Sequence, residues 1–257
     1  KGMDRFKGPL FHSSRWPQEG LDYAGKRVGI IGAGATTVQM VPVLAKTAAS
    51  VTVFQRTPNF SIPAWNGPLP EDQRKAMKGQ YRNLRRKARN SYAGDYADEY
   101  YLTIMAMTPE QREAEFELRW REGGFNYQYA FRDMMEDPQA NELAADFVRR
   151  KIRATVSDHI TAEALCPKEH PIGSKRLCVD TGYYETFNRP NVTLVDVKAD
   201  PITGFTADHV TTRKHSYALD TLVLATGFDA MTGALTAFDI RGRAGRTLKD
   251  AWQDGAG

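Results

Sequence analysis

The sequence predicts an α/β fold in which a parallel-sheet domain is interrupted by a mostly helical insertion. Three observations carry this. Residues 25–55 read as strand, glycine turn, helix and strand; residues 57–170 lose the strand pattern and gain helix start and stop signals; and short β-type runs return after Pro190.

In order along the chain, Val28, Ile30 and Ile31 form a short continuous apolar run, as a strand buried in a parallel sheet requires. Gly32-Ala33-Gly34 follows, and a helix is expected from Ala35 to about Ala48. Val51–Gln55 is the next strand, which completes a βαβ unit within about thirty residues. Glu71 to Asn90 sets Met77, Tyr81, Leu84 and Ala88 on one helical stripe, with eight Lys/Arg between Arg74 and Arg89 on the remaining surface. Thr108-Pro109-Glu110-Gln111 is a capping box with Pro at the first helical position, and Gly123-Gly124 stops that helix. Asp137-Pro138 opens another helix whose apolar face is Leu143, Ala144, Phe147 and Val148. Asn191–Val195 and Thr221–Ala225 read as strands, with a hairpin or meander between them.

Composition narrows the function classes. The chain has 257 residues, 41% of them hydrophobic, enough for one large core or two smaller ones. Its 35 Lys+Arg against 31 Asp+Glu leave a net charge of +4, too small to imply nucleic acid and compatible with a polyanionic cofactor. The basic run Arg74–Arg89 reads as a solvated helix face, since no base-stacking residues are organised around it. Cys166 and Cys178 lack CxxC or His spacing, which argues against a disulfide framework or a metal site and for a reducing, cytoplasmic setting. No apolar run of about 18 residues is present, so no membrane association is expected.

Gly32-Ala33-Gly34 stands where a dinucleotide fingerprint belongs. The first glycine permits the tight turn, the second lets backbone N–H groups approach a pyrophosphate, and the helix N-terminus favours its charge. The third position of the pattern, normally Gly or Ala, is Thr37. The fold class is thus α/β, a Rossmann-like dinucleotide-binding domain with a mostly helical insertion. Candidate cofactor contacts are Gly32, Ala33, Gly34, Ala35, Thr36, Thr37 and Gln39 on the turn and early helix. At the end of the second strand an NAD site would carry Asp or Glu, whereas this chain has Gln55-Arg56-Thr57. A guanidinium and a hydroxyl suit a ribose 2′-phosphate, so Arg56 and Thr57 predict NADPH over NADH.

The segment Phe6-Lys7-Gly8-Pro9-Leu10-Phe11-His12-Ser13-Ser14-Arg15-Trp16-Pro17 matches the fingerprint FxGxxxHxxxW(P/D) at every defined position. In this it resembles the Baeyer–Villiger monooxygenases. Pro171-Ile172-Gly173-Ser174-Lys175-Arg176, with Asp180, Tyr183-Tyr184 and Phe187-Asn188 after it, looks like that family's active-site stretch. Ala225-Thr226-Gly227-Phe228-Asp229-Ala230-Met231-Thr232-Gly233 looks like its second linker. The resemblance covers nearly the whole chain. Thr37 and the lack of a second glycine-rich fingerprint that could seat FAD are its departures.

The resemblance implies a division into a fingerprint linker (1–24), an NADPH-binding Rossmann-like domain (25–58 and 171–227), a helical insertion (59–170) and a second linker (228–257) leading toward a flavin-binding part of the same protein. It implies NADPH and FAD as cofactors, with ketone and molecular oxygen as substrates. The reduced flavin captures oxygen as a C4a-peroxyflavin, and the ketone becomes an ester or lactone. Arg176 is implied as the catalytic cation and Lys175 as an aid to NADPH phosphate recognition, while Phe6, Gly8, His12, Trp16 and Asp229 belong to the conformational linkers. The alternatives are a non-catalytic NADPH-binding fragment and a related N-hydroxylating flavin monooxygenase.

Overall fold

A computed structural model of the chain describes residues 2–91, 94–96, 102–228 and 232–256. Its centre is a five-stranded, all-parallel sheet. In chain order come β1 (Leu10–His12), β2 (Arg27–Ile31), helix α1 (Ala35–Leu44), β3 (Ser50–Gln55) and β4 (Ser61–Pro63). The helical segment follows as α2 (Glu71–Gly79), α3 (Tyr81–Asn90), α4 (Pro109–Glu122), α5 (Asn126–Tyr129), α6 (Pro138–Thr155) and α7 (His159–Leu165). The chain returns through β5 (Cys178–Asp180), α8 (Tyr183–Thr186), β6 (Val192–Asp196), β7 (Ile202–Phe205), β8 (His209–Thr212), β9 (Ser216–Ala218) and β10 (Thr221–Leu224), and ends with α9 (Gly233–Thr236) and α10 (Leu248–Ala251).

The main sheet runs β1-β10-β2-β3-β6. Alternation along its strands divides the core in two, because successive side chains point to opposite faces. Val28, Ile30, Val51, Val53 and Val223 face α1 (Val38, Val41, Leu44) and continue into the helical segment through Phe60, Phe116, Tyr127, Phe147 and Ile152. Phe54, Val195 and Leu222 face the other way, onto Phe6 and the antiparallel β7-β8-β9 meander. The insertion therefore shares its core with the sheet. A parallel pairing of β4 with β5, Ile62 opposite Val179, draws its two ends together.

Local signals explain most elements. Thr108 and Gln111 form the reciprocal capping box of α4, and Gly123, at φ 69°, ends it. Asp137 accepts from the backbone of Gln139 and Ala140 to start α6. Two expectations need correction. Helix α1 ends at Leu44 rather than near Ala48; Pro42 lies inside it, removing a backbone donor, and residues 45–47 continue as a turn. The stretch from Glu71 to Asn90 is two helices, broken at Gln80 after Gly79, and neither buries a residue. Tyr81 is 53% exposed, so the stripe of Met77, Tyr81, Leu84 and Ala88 is not core.

Candidate functional site

The glycine turn sits at the C-terminal end of β2, and the fold constrains its two glycines differently. Gly32 has φ 125°, and a Cβ there would lie 2.2 Å from the carbonyl oxygen of Ala225, so the fold itself demands glycine. Gly34 is extended (φ −85°, ψ −173°), a conformation open to any residue, and a Cβ there would meet nothing within 4 Å. The space above Gly34 is open. Helix α1 begins immediately after it with no side-chain cap, which leaves the N–H groups of its first turn for an outside acceptor. Thr37 is fully buried and its hydroxyl donates to the Gly32 carbonyl at 3.0 Å. The side chain that replaces the expected small residue thus staples the turn from behind.

Around this turn lies a cleft of ≈ 410 Å³, lined on one side by Gly32, Ala33 and Gly34 and on the other by Arg56, Thr57 and Lys175. Arg56 and Lys175 are exposed and make no ion pair among the described residues. Two residues 119 positions apart in sequence thus bring two cations to one opening. Ala35 and Thr36 are half-buried at the start of α1, outside that lining. Gln39 is exposed and borders a separate cavity with Pro42, Val43 and Lys46.

Arg176 is exposed and its guanidinium is unpaired among the described residues, but it does not line the cleft. The strand that follows it is fixed by buried polar contacts. Ser61 donates to the buried Asp180 carboxylate at 2.6 Å, as does the Tyr183 backbone N–H at 3.0 Å. Burial raises the Asp180 pKa against the pull of those bonds. Asn59, which also lines the cleft, donates from Nδ2 to the Cys178 thiol at 3.1 Å. Burial pushes the Cys178 pKa up to about 11, and both cysteines are free and buried.

The N-terminal fingerprint packs against the other rim. Phe6 is buried in the core shared with the β7-β8-β9 meander, and a Cβ on Gly8 would stand 2.4 Å from the Asp220 carbonyl oxygen. Strand β1 pairs with β10, placing His12 opposite Leu224. The Ser14 backbone N–H donates to His12 Nδ1, so in the neutral ring Nε2 carries the proton and faces Thr226 Oγ1 at 3.4 Å. The His12 ring also meets Phe228 edge-on at 6.3 Å. Trp16 is exposed and near Phe11. Asp229 lies outside the described residues. Thr226 and Gly227 also line the cleft; the Ala225-Thr226-Gly227 run signals them in the sequence, whereas nothing there signals Asn59.

Among the described residues no helix is long and apolar enough to cross a membrane, and no group of three or more His, Cys, Asp or Glu could hold a metal ion. A parallel sheet with an open glycine turn at a helix N-terminus and a cation just past the next strand end is a Rossmann-like type of α/β fold. Comparison with known proteins goes further. No family model matches the chain. A Baeyer–Villiger monooxygenase from Pseudooceanicola batsensis is 41% identical over 99% of this chain and 47% of its own length. A cyclohexanone 1,2-monooxygenase from Acinetobacter sp. is 40% identical with the same coverages. Among solved structures, an oxidized steroid monooxygenase bound to NADP superposes with TM-score 0.94 at 46% identity, covering 100% of this chain and 49% of that one. OTEMO in complex with FAD and NADP gives 0.95 at 41% identity, again over 100% and 49%. Along nearly its whole length the chain is similar to Baeyer–Villiger monooxygenases, and it spans about half the length of the curated relatives it matches.

Proposed function

We propose that this chain is the NADPH-binding half of a flavin-dependent Baeyer–Villiger monooxygenase, which with oxygen converts a ketone to an ester or lactone. The observation that carries the reading is the open cradle above Gly34 facing Arg56, Thr57 and Lys175 across one cleft. In this reading the turn's N–H groups and the first turn of α1 hold the pyrophosphate, and Arg56, Thr57 and Lys175 hold the ribose 2′-phosphate. When bound, NADPH supplies a hydride and FAD the oxygen activation. One oxygen atom enters a C–C bond of the ketone and the other leaves as water.

Arg176 is assigned the stabilisation of negative charge that develops on the ketone oxygen; a guanidinium stays cationic through the cycle and this one has no competing carboxylate among the described residues. The contact of His12 with Thr226 supports a linker role for the fingerprint, in which movement of residues 1–24 is felt at the cleft through the Ala225-Thr226-Gly227 loop. The boundaries 25–58 with 171–227 for the NADPH domain, 59–170 for the insertion and 228–257 for the second linker belong to the same proposal. FAD and a ketone substrate are inferred from the relatives, one of them named for cyclohexanone. A cytoplasmic, reducing setting is consistent with two free thiols.

A non-catalytic nucleotide module is the weaker reading, because the relatives along the full chain are monooxygenases. The proposal is tested by titrating NADPH and NADH against the wild type and Arg56→Ala. The variant should lose about 1.5–3 kcal/mol of NADPH affinity, as for a charge-assisted hydrogen bond, with NADH nearly unchanged. Equal losses for both cofactors would sink the assignment of the 2′-phosphate site.

A further inference from the structure

Gln55 is the last residue of β3 and stands immediately before Arg56 and Thr57, yet it is 98% hidden from solvent, with 2% exposure. Its Nε2 donates to the carbonyl oxygen of Ala164 at 2.7 Å, a contact that spans 109 residues and lands on helix α7 of the insertion. The Gln55 backbone carbonyl accepts from Val197 N–H at 2.8 Å on the opposite side, the side of strand β6. The turn that starts at Arg56 is therefore held from two directions, and the Gln55 side chain ties it to the insertion.

The far end of that link is firm. Asp158 caps α7 by accepting from the Thr161 backbone at 2.8 Å. Glu163 pairs with Arg153 at 2.5 Å and with Lys168 at 2.7 Å, and Ala162 and Leu165 are buried in the main core. Arg56, by contrast, has an exposed guanidinium with no partner among the described residues. A long cation on an unanchored turn spends conformational entropy when it binds a phosphate, and fixing its backbone beforehand lowers that cost. The Gln55 Oε1 atom is buried without a partner among the described residues, a cost that the amide carries beside its donation to Ala164. A side chain serving only to fill space would not need it.

We propose that Gln55 is a positioning residue for cofactor choice: by tying the end of β3 to Ala164 it pre-sets Arg56 and Thr57 for a 2′-phosphate, and so couples the helical insertion to the preference for NADPH. The inference rests on the reading of Arg56 and Thr57 given above. It predicts that the insertion and the 2′-phosphate site feel each other, and that the adenosine and pyrophosphate contacts do not depend on the tie.

The test uses two fragments of the cofactor that differ at the 2′ position, 2′,5′-ADP and 5′-AMP, titrated against the protein. Gln55→Met keeps the length of the side chain, removes the donor and also removes the unpaired acceptor, so folding should tolerate it. Binding of 2′,5′-ADP should weaken about five- to tenfold while 5′-AMP changes less than about twofold. A purely structural role would lower the melting temperature and leave the ratio of the two affinities where it was. A folded Gln55→Met with the wild-type ratio, or with equal losses for both fragments, overturns the proposal. Should that variant fail to fold, the wild type supplies the second measurement, because coupling is reciprocal. Saturating 2′,5′-ADP should slow amide hydrogen exchange in residues 159–165 more than saturating 5′-AMP does, and equal protection by the two overturns the inference. Arg56→Ala separates the two layers of argument. If it leaves the ratio intact, the assignment of the 2′-phosphate site has failed; if it collapses the ratio while Gln55→Met does not, only the positioning role has failed.

Discussion

Replacing Gly34 with Val separates binding from folding more cleanly than any other single change at the glycine turn. The backbone at Gly34 is extended and its Cβ position is empty of protein atoms to 4 Å, so valine fits the free protein without strain. Its effect on stability should stay within about 0.5 kcal/mol, as for an unremarkable surface substitution. Binding is another matter, because the valine methyls occupy the volume through which the pyrophosphate reaches the N–H groups at the start of α1. Two charge-assisted hydrogen bonds lost at about 1.5–3 kcal/mol each give about 3–6 kcal/mol, at least about a hundredfold in dissociation constant. Gly32→Ala makes the opposite control. With φ at 125° and the Ala225 oxygen 2.2 Å from the new Cβ, it should cost stability, about 1–3 kcal/mol from the backbone alone. Thermal melts followed by circular dichroism and an NADPH titration on each variant suffice. A Gly34→Val protein with wild-type melting and wild-type NADPH affinity would refute the argument and move the phosphate site elsewhere.

Two further outcomes follow from the geometry. In the flavin-loaded full-length enzyme, Arg176→Ala should cut ester formation by about 10²–10³ or more while flavin reduction by NADPH remains measurable; stopped-flow reduction with product analysis checks this, and a variant that still makes lactone at the wild-type rate removes Arg176 from the mechanism. The Glu163 carboxyl, held by Arg153 and Lys168, is lowered to about 2 from an ordinary value of 4.5. Its folded pKa is depressed, so its contribution to stability is present above about pH 4.5 and is lost as pH falls toward 2. Glu163→Gln should accordingly lower the melting temperature at pH 6 and converge on the wild type near pH 2–3, and a difference that persists at low pH would contradict the ion-pair origin.

What could be read from the sequence was what short-range chemistry decides. The β2–turn–α1–β3 unit is contiguous, and each of its parts is specified by neighbours in the chain: an apolar run, two glycines, a helix start. The caps at Thr108 and Asp137 act over three residues and formed as written. The breaks are harder to read, because Pro42 inside α1 and the Gly79-Gln80 junction weaken helices by amounts that packing decides, and α2 and α3 bury no residue that would carry a helix across. The β4–β5 pair was invisible for a different reason: three residues each, without alternation, joined across more than a hundred positions. The site divides in the same way. Gly32, Gly34, Arg56 and Thr57 follow from the order of strand, turn and strand, whereas Lys175 stands out only through the family resemblance and meets them only once the intervening segment has folded back. Asn59 and the tie from Gln55 to Ala164 depend on contacts between distant segments, which no local pattern encodes.

The central claim is that this cleft serves the oxygenation of a ketone at the expense of NADPH. The most direct measurement supplies the flavin-loaded full-length enzyme with NADPH, a panel of linear and cyclic ketones and isotopically heavy dioxygen, and follows NADPH absorbance together with the product mass. The account predicts ketone-dependent NADPH consumption and an ester or lactone that carries one heavy oxygen atom per molecule, with NADH a poor substitute. NADPH consumption that does not depend on ketone, or an ester or lactone whose inserted oxygen comes from water, would contradict it.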